Sequence, residues 1–289
     1  MTSVSLVPAQ ADSPSLIVDL SRAASEPLAA VGGKALNLGR LAAAGFPVPP
    51  GFCLTTTGYR KAEPGEMRVI AARLDGAAAG ADGAAAGLSG ADRDGLARRG
   101  RELMAAAPVP PDVEAALRDA YAGMGGGPVA VRSSATAEDL PFASFAGQQD
   151  SFMDVSGADA VVAAVRGCWA SLWTDRAVAY RSANGIRHRE VSLAVVVQQM
   201  VHAATAGVMF TANPVTGTRT ETVIDASAGP GQAVVSGTVN PDHFVLATAS
   251  GRVLQRPQDR AASLTDSLTD AQLAGLTSLG DAAQRLPCR

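Results

Sequence analysis

The alternation of apolar and polar positions predicts short β-strands at the start and in the second half of the chain, with helices between them. Strand-like runs occupy residues 15–20, the end of 46–59, the beginning of 129–152, and then 193–200, 206–211, 222–226 and 244–247. Helical periodicity covers residues 29–45, 61–107, 111–122 and 158–183, and the last of these predicts the longest uninterrupted helix. The predicted helices therefore lie between the early strands, and the chain after residue 193 is mainly strand.

The strands after residue 193 are joined by turns that contain Gly, Asn and Pro. Because these connections lack the regular strand–helix–strand alternation of a parallel sheet, they predict antiparallel pairing. With 289 residues and 47% hydrophobic content, the chain is long enough to form one large lobe or two smaller ones. Pattern and length together favour an α+β protein.

The predicted helix over 158–183 has an apolar stripe that includes Cys168, which is interpreted as a small buried apolar residue. Arg166, Arg176 and Arg181 stand among the apolar positions of the same helix. We expect these arginines to be solvated or to pair with nearby acidic residues rather than to bind a substrate.

Residues 129–152 (VAVRSSATAEDLPFASFAGQQDSF) have the most informative composition in the chain. A short apolar strand meets Arg132 and then continues through about twenty mostly small, polar residues. A guanidinium with a fixed fork of donors, followed by hydroxyls and a glycine that lets backbone N–H groups approach closely, is typical of a loop around phosphate oxygens. This stretch predicts one wall of a nucleotide site.

Lys34 follows a double glycine at the start of a predicted helix. The N-terminal end of a helix attracts anions through its backbone donors and its dipole. An ordinary solvated lysine beside a turn explains the same spacing equally well, so both readings stay open for the motif taken alone.

Composition and charge exclude several classes of function. The net charge is −3, the 24 basic and 27 acidic residues are spread along the chain, and aromatic residues make up 4%. Nucleic acid is therefore not an expected partner.

The three cysteines, Cys53, Cys168 and Cys288, form no Cys-x-x-Cys pair and favour a reducing compartment. Since the sequence begins without a signal peptide and holds no apolar run long enough to span a membrane, we expect a soluble, cytoplasmic protein.

Five segments occur in an order that resembles the ATP-binding domain of the phosphoenolpyruvate synthase and pyruvate phosphate dikinase family. They are GGKALNLGRLAAAGFPVPPGF, RSSATAEDLPFASFAGQQDSF, VVVQQMV, AGVMFTANPVTG and AVVSGTVNPDHFVL. The wording FTANPVTG is most similar to the rifampicin phosphotransferase branch. The resemblance covers about two-thirds of the chain and implies an ATP-grasp fold, in which two α+β lobes close on ATP.

The resemblance also implies roles for individual residues and a domain plan. Residues matched to the nucleotide are Lys34 and Arg132 as catalytic grips on the phosphates, Gly147 and Ser151 in the loop over them, and Gln198, Met200 and Val201 at the adenine. The expected parts are a disordered start (1–14), an N-terminal lobe (15–125) with a mobile Ala/Gly-rich segment (76–90), a nucleotide-binding core lobe (126–260) and a C-terminal helical segment (261–289).

The family converts ATP to AMP and phosphate and passes the β-phosphoryl group to a histidine on a separate domain, which implies Mg²⁺ as a cofactor. Metal ligands are not assigned, because Glu138 and Asp139 could orient Mg²⁺, orient the incoming histidine domain, or simply cap the N–H groups of their own loop. The final strands of the family are expected to be missing, and a phosphohistidine domain and an acceptor domain would be separate partners. None of His188, His202 and His243 is expected to carry the phosphoryl group. The alternative is a truncated, catalytically silent module that binds nucleotide or a partner.

Overall fold

The structure, a computed structural model, describes residues 15–78, 88–136, 139–140, 143–144, 151–257 and 267–286. These residues fall into two compact units, Met1–Met200 and Val201–Arg289. Each unit combines helices with an antiparallel sheet, so the α+β prediction is confirmed. Within the described ranges, no helix is long and apolar enough to cross a membrane.

The first unit contains seven α-helices, two 3₁₀ helices and seven strands among its described residues. The strands are β1 (Ile17–Asp19), β2 (Gly51–Leu54), β3 (Val129–Ala135), β4 (Asp139–Leu140), β5 (Ala143–Ser144), β6 (Ser151–Val155) and β7 (Leu193–Gln199). The α-helices are α1 (Leu28–Ala43), α2 (Thr56–Ala62), α3 (Gly65–Ala78), α4 (Gly90–Ala106), α5 (Pro111–Gly123), α6 (Ala158–Ser171) and α7 (Asp175–Ala183). Two 3₁₀ helices cover Leu20–Ser25 and His188–Glu190.

Five of these strands form one sheet in the order β1-β2-β7-β3-β6, with every neighbouring pair antiparallel. Strand β7 lies at the centre, and its residues Leu193 to Gln198 are all buried. A central strand covered on both faces has no position for an exposed polar residue, which is why the sequence LAVVVQ is apolar up to its last residue.

The two faces of this sheet bury different sets of side chains. On one face, residues such as Phe52, Val131 and Val195 join a large core together with residues of α2–α7. On the other face, Cys53 and Val196 pack in a smaller cluster with α1 and the 3₁₀ helix of 20–25. Because successive strand residues point to opposite faces, the sequence position alone decides which helix layer each side chain meets.

The structure corrects the prediction of one continuous helix over 158–183. Helix α6 ends at Ser171 and α7 begins at Asp175, where the Thr174 side chain accepts a hydrogen bond from the N–H of Ala177. A threonine that satisfies a free N–H group at a helix start favours a new helix over continuation. The apolar stripe continues through the break because Leu172 and Trp173 are also buried, and this continuity concealed the break.

Several other predicted elements are confirmed with small shifts. The strand at 15–20 and the helix at 111–122 correspond to β1 and α5. The helix predicted after the double glycine begins before it, at Leu28. The strand expected at the end of 46–59 stops at Leu54, and α2 starts two residues later.

The predicted lobe boundary at 125/126 falls inside the first unit, and the sheet of that unit contains strands from both sides of it. The assignment of lobes remains a prediction. Most of the Ala/Gly-rich segment 76–90 and the start at 1–14 lie outside the described residues.

The second unit contains a four-stranded antiparallel sheet in the order β11-β10-β9-β8. Its elements are β8 (Thr205–Phe210), β9 (Glu221–Ala228), α8 (Gln232–Val235), β10 (Asp242–Ala247), β11 (Val253–Gln255) and α9 (Asp270–Gln284). Helix α9 begins with a capping box formed by Thr269 and Gln272 and contributes Leu273 to a small core with Ile224 and Phe244. The predicted strands at 206–211, 222–226 and 244–247 are therefore confirmed.

Candidate nucleotide site

Helix α1 is attached to strand β3 at the double glycine. Gly32 departs from helical geometry, with φ of 72° and ψ of 168°. A Cβ atom at this position would lie 2.2 Å from the backbone oxygen of Ser134. Only glycine allows both this backbone conformation and so close an approach of another chain segment. The first glycine of the motif thus brings the helix directly onto the strand.

The Ser134 hydroxyl completes the attachment. Its Oγ donates to the carbonyl of Val31 at 2.9 Å and accepts from the N–H of Ala35 at 3.2 Å. In an uninterrupted helix these two backbone groups would bond to each other, because they are four residues apart. The serine therefore bridges the backbone on the two sides of the kink at Gly32.

This attachment holds Lys34 against the strand that carries Arg132. The Lys34 ammonium donates to the backbone oxygen of Ser133 at 2.8 Å, and Ser133 follows Arg132 on β3. A backbone carbonyl of the strand thus holds the Lys34 ammonium at the residue that follows Arg132. The GGK motif and the RSS motif are 99 residues apart in sequence and form one structural unit.

Arg132 and Ser151 are direct partners across the β3–β6 pair. Residues directly opposite each other in an antiparallel pair project from the same face, so Ser151 shares the face of Arg132. Ser134, two residues further along β3, also lies on this face, which is the face that α1 covers. Within the described chain, Arg132 Nε is buried without a hydrogen-bond partner. Three of the predicted phosphate residues are thus gathered on one face, whereas Gly147 lies outside the described residues.

Gln198 lies on the same face as Arg132. It pairs with Ala130 on β3, whereas Arg132 pairs with Val196, so the two positions are two residues apart, about 7 Å along the strand. The buried Gln198 side chain donates from Nε2 to the carbonyl of Pro49 at 3.0 Å. That bond fixes the orientation of the carboxamide and directs its oxygen away from Pro49.

The end of β7 limits how its backbone could hold a base. The N–H of Met200 donates to the carbonyl of Pro128 at 3.0 Å, and the carbonyl of Val201 accepts from the N–H of Ala203 at 3.0 Å. Val201 is 58% exposed and is the first residue of the second unit.

Comparison with known protein families gives a clear match. The AMP/ATP-binding domain of pyruvate phosphate dikinase matches residues 28–272, which is most of the chain. The chain belongs to this family. It is an AMP/ATP-binding domain of the dikinase type, as its sequence motifs predicted.

Individual relatives agree with this assignment. The chain is 45% identical to a rifampicin phosphotransferase of Streptomyces sp over 248 residues, which is 83% of this chain and 27% of the relative. It is 40% identical to a probable phosphoenolpyruvate synthase of Pyrococcus horikoshii, covering 78% of this chain and 31% of the relative. A rifampicin phosphotransferase of Streptomyces sviceus is 41% identical and covers 91% of this chain. The chain spans about 30% of the length of these relatives.

Two residues of the sequence motifs help to position the site, although the sequence analysis did not select them as site residues. Ser134 and Gly32 touch no predicted ligand, yet they determine where Lys34 lies. The available signal was the alternation after Arg132: in a strand, the residue two positions later lies on the same face and faces whatever covers the arginine.

Two of the three histidines form hydrogen bonds with neighbouring side chains in the described structure. His188 is buried and accepts a hydrogen bond from Arg181, and His243 bonds through Nδ1 to Asp225 at 2.7 Å. His202 is exposed. The expectation that none of them carries a phosphoryl group remains a prediction.

Proposed function

We propose that the first unit binds ATP on the α1 face of its sheet, with Lys34 and Arg132 on the phosphates. The observation that supports this most directly is the attachment of the GGK motif to β3, where the Lys34 ammonium bonds the carbonyl of Ser133, the residue after Arg132. Fixed cations and close backbone donors are what a polyphosphate requires. Ser151 contributes a hydroxyl to the same face, and Gly147 belongs to the proposed phosphate loop. We further propose that the fold is ATP-grasp.

The adenine is proposed to lie at the end of β7. Gln198 presents its carboxamide oxygen there, and the backbone of Met200 and Val201 is proposed to contact the base. The apolar neighbours of this strand end supply the partly apolar slot that such bases prefer.

Magnesium is proposed to enter with the nucleotide. The described residues hold no group of three carboxylate, histidine or cysteine side chains that could bind a metal ion by themselves. Mg²⁺ in nucleotide sites is commonly held by phosphate oxygens, water and only one or two carboxylates, so the donor set here fits a metal delivered by ATP. When bound, the ion would neutralise phosphate charge; no residue of this chain is assigned to it.

The proposed reaction is transfer of the β-phosphoryl group of ATP to a histidine of a separate domain. The bond between the α- and β-phosphates breaks to release AMP, and one water is consumed in cleaving the β–γ bond to release phosphate. The part played by this chain is electrostatic. Lys34 and Arg132 would hold the phosphates in line and stabilise the negative charge that develops as AMP leaves. The acceptor that finally receives the phosphoryl group is set by the partner domains; pyruvate and a rifamycin hydroxyl are the candidates from the relatives' names.

Titration calorimetry with Mg-ATP tests the binding proposal. Lys34→Met and Arg132→Met should each weaken ATP binding by about 1.5–3 kcal/mol, because each removes a charge-assisted contact. Arg101→Met, which removes an exposed arginine from α4, is the matched control and should leave the affinity unchanged. A loss of only a few tenths of a kcal/mol in both site variants would contradict the proposed site.

Turnover separates a phosphotransferase domain from a silent nucleotide-binding module. The chain is mixed with Mg-ATP and a histidine-bearing domain taken from a rifampicin phosphotransferase, and AMP is measured by chromatography. The proposal expects AMP formation that Lys34→Met and Arg132→Met abolish. ATP binding without AMP formation under these conditions would favour the silent module.

A further inference from the structure

Arg181 belongs to the packed interior of the first unit. The residue is 1% exposed, and its guanidinium carbon lies 5.5 Å from the centre of the Trp173 ring. The nearby Asp75 carboxylate is paired with Arg189 at 2.9 Å. The prediction that Arg181 is solvated or paired with an acid is therefore wrong, and its contacts are those of a structural residue.

A cavity of about 470 Å³ lies between the sheet of the first unit and the C-terminal end of α5, and it opens to solvent. Its volume falls within the roughly 300–1,000 Å³ that is usual for small-molecule sites. Ile17, Pro50, Ala120 and Met124 form apolar parts of its wall. A small molecule with an apolar body therefore fits the cavity in size and in the character of this wall.

The cavity lies on the face of the sheet opposite to the proposed nucleotide site. Asp19 pairs directly with Phe52, and Phe52 pairs with Val197, so the three side chains project from one face. Gln199 is two residues beyond Val197 on β7 and shares that face. Gln198, which lies on the nucleotide face, projects to the other side. The two consecutive glutamines at the end of β7 thus serve different sites.

The charge in the cavity wall is negative. Among the described residues that line the cavity, Asp19 is the single charged side chain. Its Oδ1 accepts from the N–H and the hydroxyl of Ser21, at 2.8 and 2.6 Å, while no described residue donates to Oδ2. Ala120 and Gly123 place the last turn of α5 at the same cavity, and a helix C-terminus carries partial negative charge. The wall therefore attracts cations and repels anions.

Gln199 adds a neutral polar group to this wall. Its backbone N–H donates to the carbonyl of Pro50 at 2.8 Å, which fixes the end of β7. The side chain is exposed and forms no hydrogen bond to another described residue. Its carboxamide oxygen can therefore accept from a ligand that bears N–H donors.

We propose that this cavity binds a small organic ammonium, with the apolar body against Ile17, Ala120 and Met124 and the cationic nitrogen at Asp19. An ammonium group has three donors and no acceptor, so a carboxylate oxygen and a carboxamide oxygen are suitable partners for it. The same negative wall disfavours ATP, which is an anion. The inference is independent of the proposed function, because it uses the opposite face of the sheet.

Calorimetry with three probes that share one apolar body tests the charge preference. The probes are phenethylammonium, phenethyl alcohol and hydrocinnamate, which end in a cation, a neutral hydroxyl and an anion. We expect saturable binding of the ammonium, about threefold weaker binding of the alcohol and the weakest binding of the carboxylate, since Asp19 is near solvent and its charge is partly screened. Absence of saturable ammonium binding, or hydrocinnamate binding as tight as that of the ammonium, would overturn the proposal.

Asp19→Asn tests the assigned carboxylate. Asparagine keeps an oxygen for Ser21 but removes the charge, so the ammonium should bind about threefold more weakly, while the alcohol binds as before. Asp94→Asn removes the same charge from an exposed position on α4 and is the control without effect. An unchanged preference for the ammonium in Asp19→Asn would exclude this carboxylate as the binding group.

Gly123→Leu tests the location without altering a charge. An added Cβ at Gly123 meets nothing within 4 Å, so leucine can be accommodated and its side chain takes up space at the cavity. Both the ammonium and the alcohol should bind at least about tenfold more weakly, because the volume for their shared body is lost. Gly95→Leu, also without a neighbour within 4 Å, is the control on α4.

Thermal unfolding of each variant verifies that it is folded. Undiminished probe binding in a folded Gly123→Leu variant would place the ligand elsewhere and contradict the proposal. Saturating Mg-ATP is added in a final titration and should leave the ammonium bound. Complete displacement by Mg-ATP would assign the probe to the nucleotide site and also overturn the inference.

Discussion

Glycine is needed at position 32 for two reasons: the backbone has a positive φ, and the backbone of Ser134 lies too close for a Cβ atom. A substitution should reveal both effects. Alanine at this position would adopt an unfavourable positive φ and place its Cβ 2.2 Å from the Ser134 oxygen. We expect Gly32→Ala to lower the free energy of unfolding by more than about 2 kcal/mol and to weaken ATP binding, since Lys34 would move away from β3. Urea unfolding and calorimetry measure the two effects.

Gly45 is the matched control for this substitution. It also has a positive φ, of 82°, but nothing lies within 4 Å of its added Cβ. Gly45→Ala should therefore cost only the conformational strain, about 1 kcal/mol, without any change in ATP affinity. Equal losses for the two variants would show that the contact with Ser134 contributes nothing.

His188 makes the stability of the protein depend on pH. Its pKa is lowered to about 4, by burial first and by Arg181 second, whereas an unfolded histidine titrates near 6.5. Between these values the unfolded chain binds more protons, so stability falls as the pH falls from about 6.5 to about 4. The expected loss is at most about 3 kcal/mol.

The difference between the wild-type and His188→Gln unfolding curves isolates this histidine. Glutamine offers an oxygen to Arg181 but does not titrate, so its pH profile should be flatter over this range. His202→Gln, a change at an exposed histidine, should retain the slope of the wild type. A slope unchanged by His188→Gln would rule out the neutral, buried ring.

At the scale of elements, the attachment of α1 to β3 depends on one hydroxyl. Ser134→Ala would remove the hydroxyl partner of the Ala35 N–H and leave the buried carbonyl of Val31 with only the weak thiol donor of Cys53. We expect a loss of about 2 kcal/mol in the free energy of unfolding, together with weaker ATP binding. Chemical denaturation and calorimetry are the measurements.

Ser171→Ala provides the comparison for Ser134. Ser171 is also fully buried, but its hydroxyl donates to a single carbonyl within its own helix, that of Cys168. Its loss should cost about 1 kcal/mol or less and leave ATP affinity intact. If Ser134→Ala costs no more than this, the hydroxyl is not the link between α1 and β3.

For the whole molecule, the two units should differ in local stability. The first unit buries a large core around β3 and β7, whereas the second relies on a small cluster that includes Ile224, Phe244 and Leu273. Regions with fewer buried apolar side chains open more easily. Hydrogen exchange followed by mass spectrometry should therefore show slower exchange in β3 and β7 than in β8–β10; the reverse order would contradict this assignment.

Much of this architecture follows from the sequence pattern. The apolar run of residues 193–197 identifies a buried strand, and Pro111 and Thr269 mark helix starts by their local chemistry. The helix over 158–183 could not be divided correctly, because its apolar stripe continues through the break at Leu172 and Trp173. Hydrophobic periodicity indicates which side chains are buried, and side chains can stay buried through a turn between two helices.

The amino-acid sequence by itself determined the family, the α+β composition and the residue types needed for an ATP site, because these are properties of motifs read in order. Only the tertiary structure decided that Lys34 lies against Ser133, that Ser134 bridges the kink at Gly32, and that Arg181 is buried against Trp173. The physical reason is that the position of a charged side chain depends on which face of a sheet and which end of a helix pack against each other. These contacts join residues about a hundred positions apart, such as Lys34 and Ser133, and no local sequence pattern can predict them.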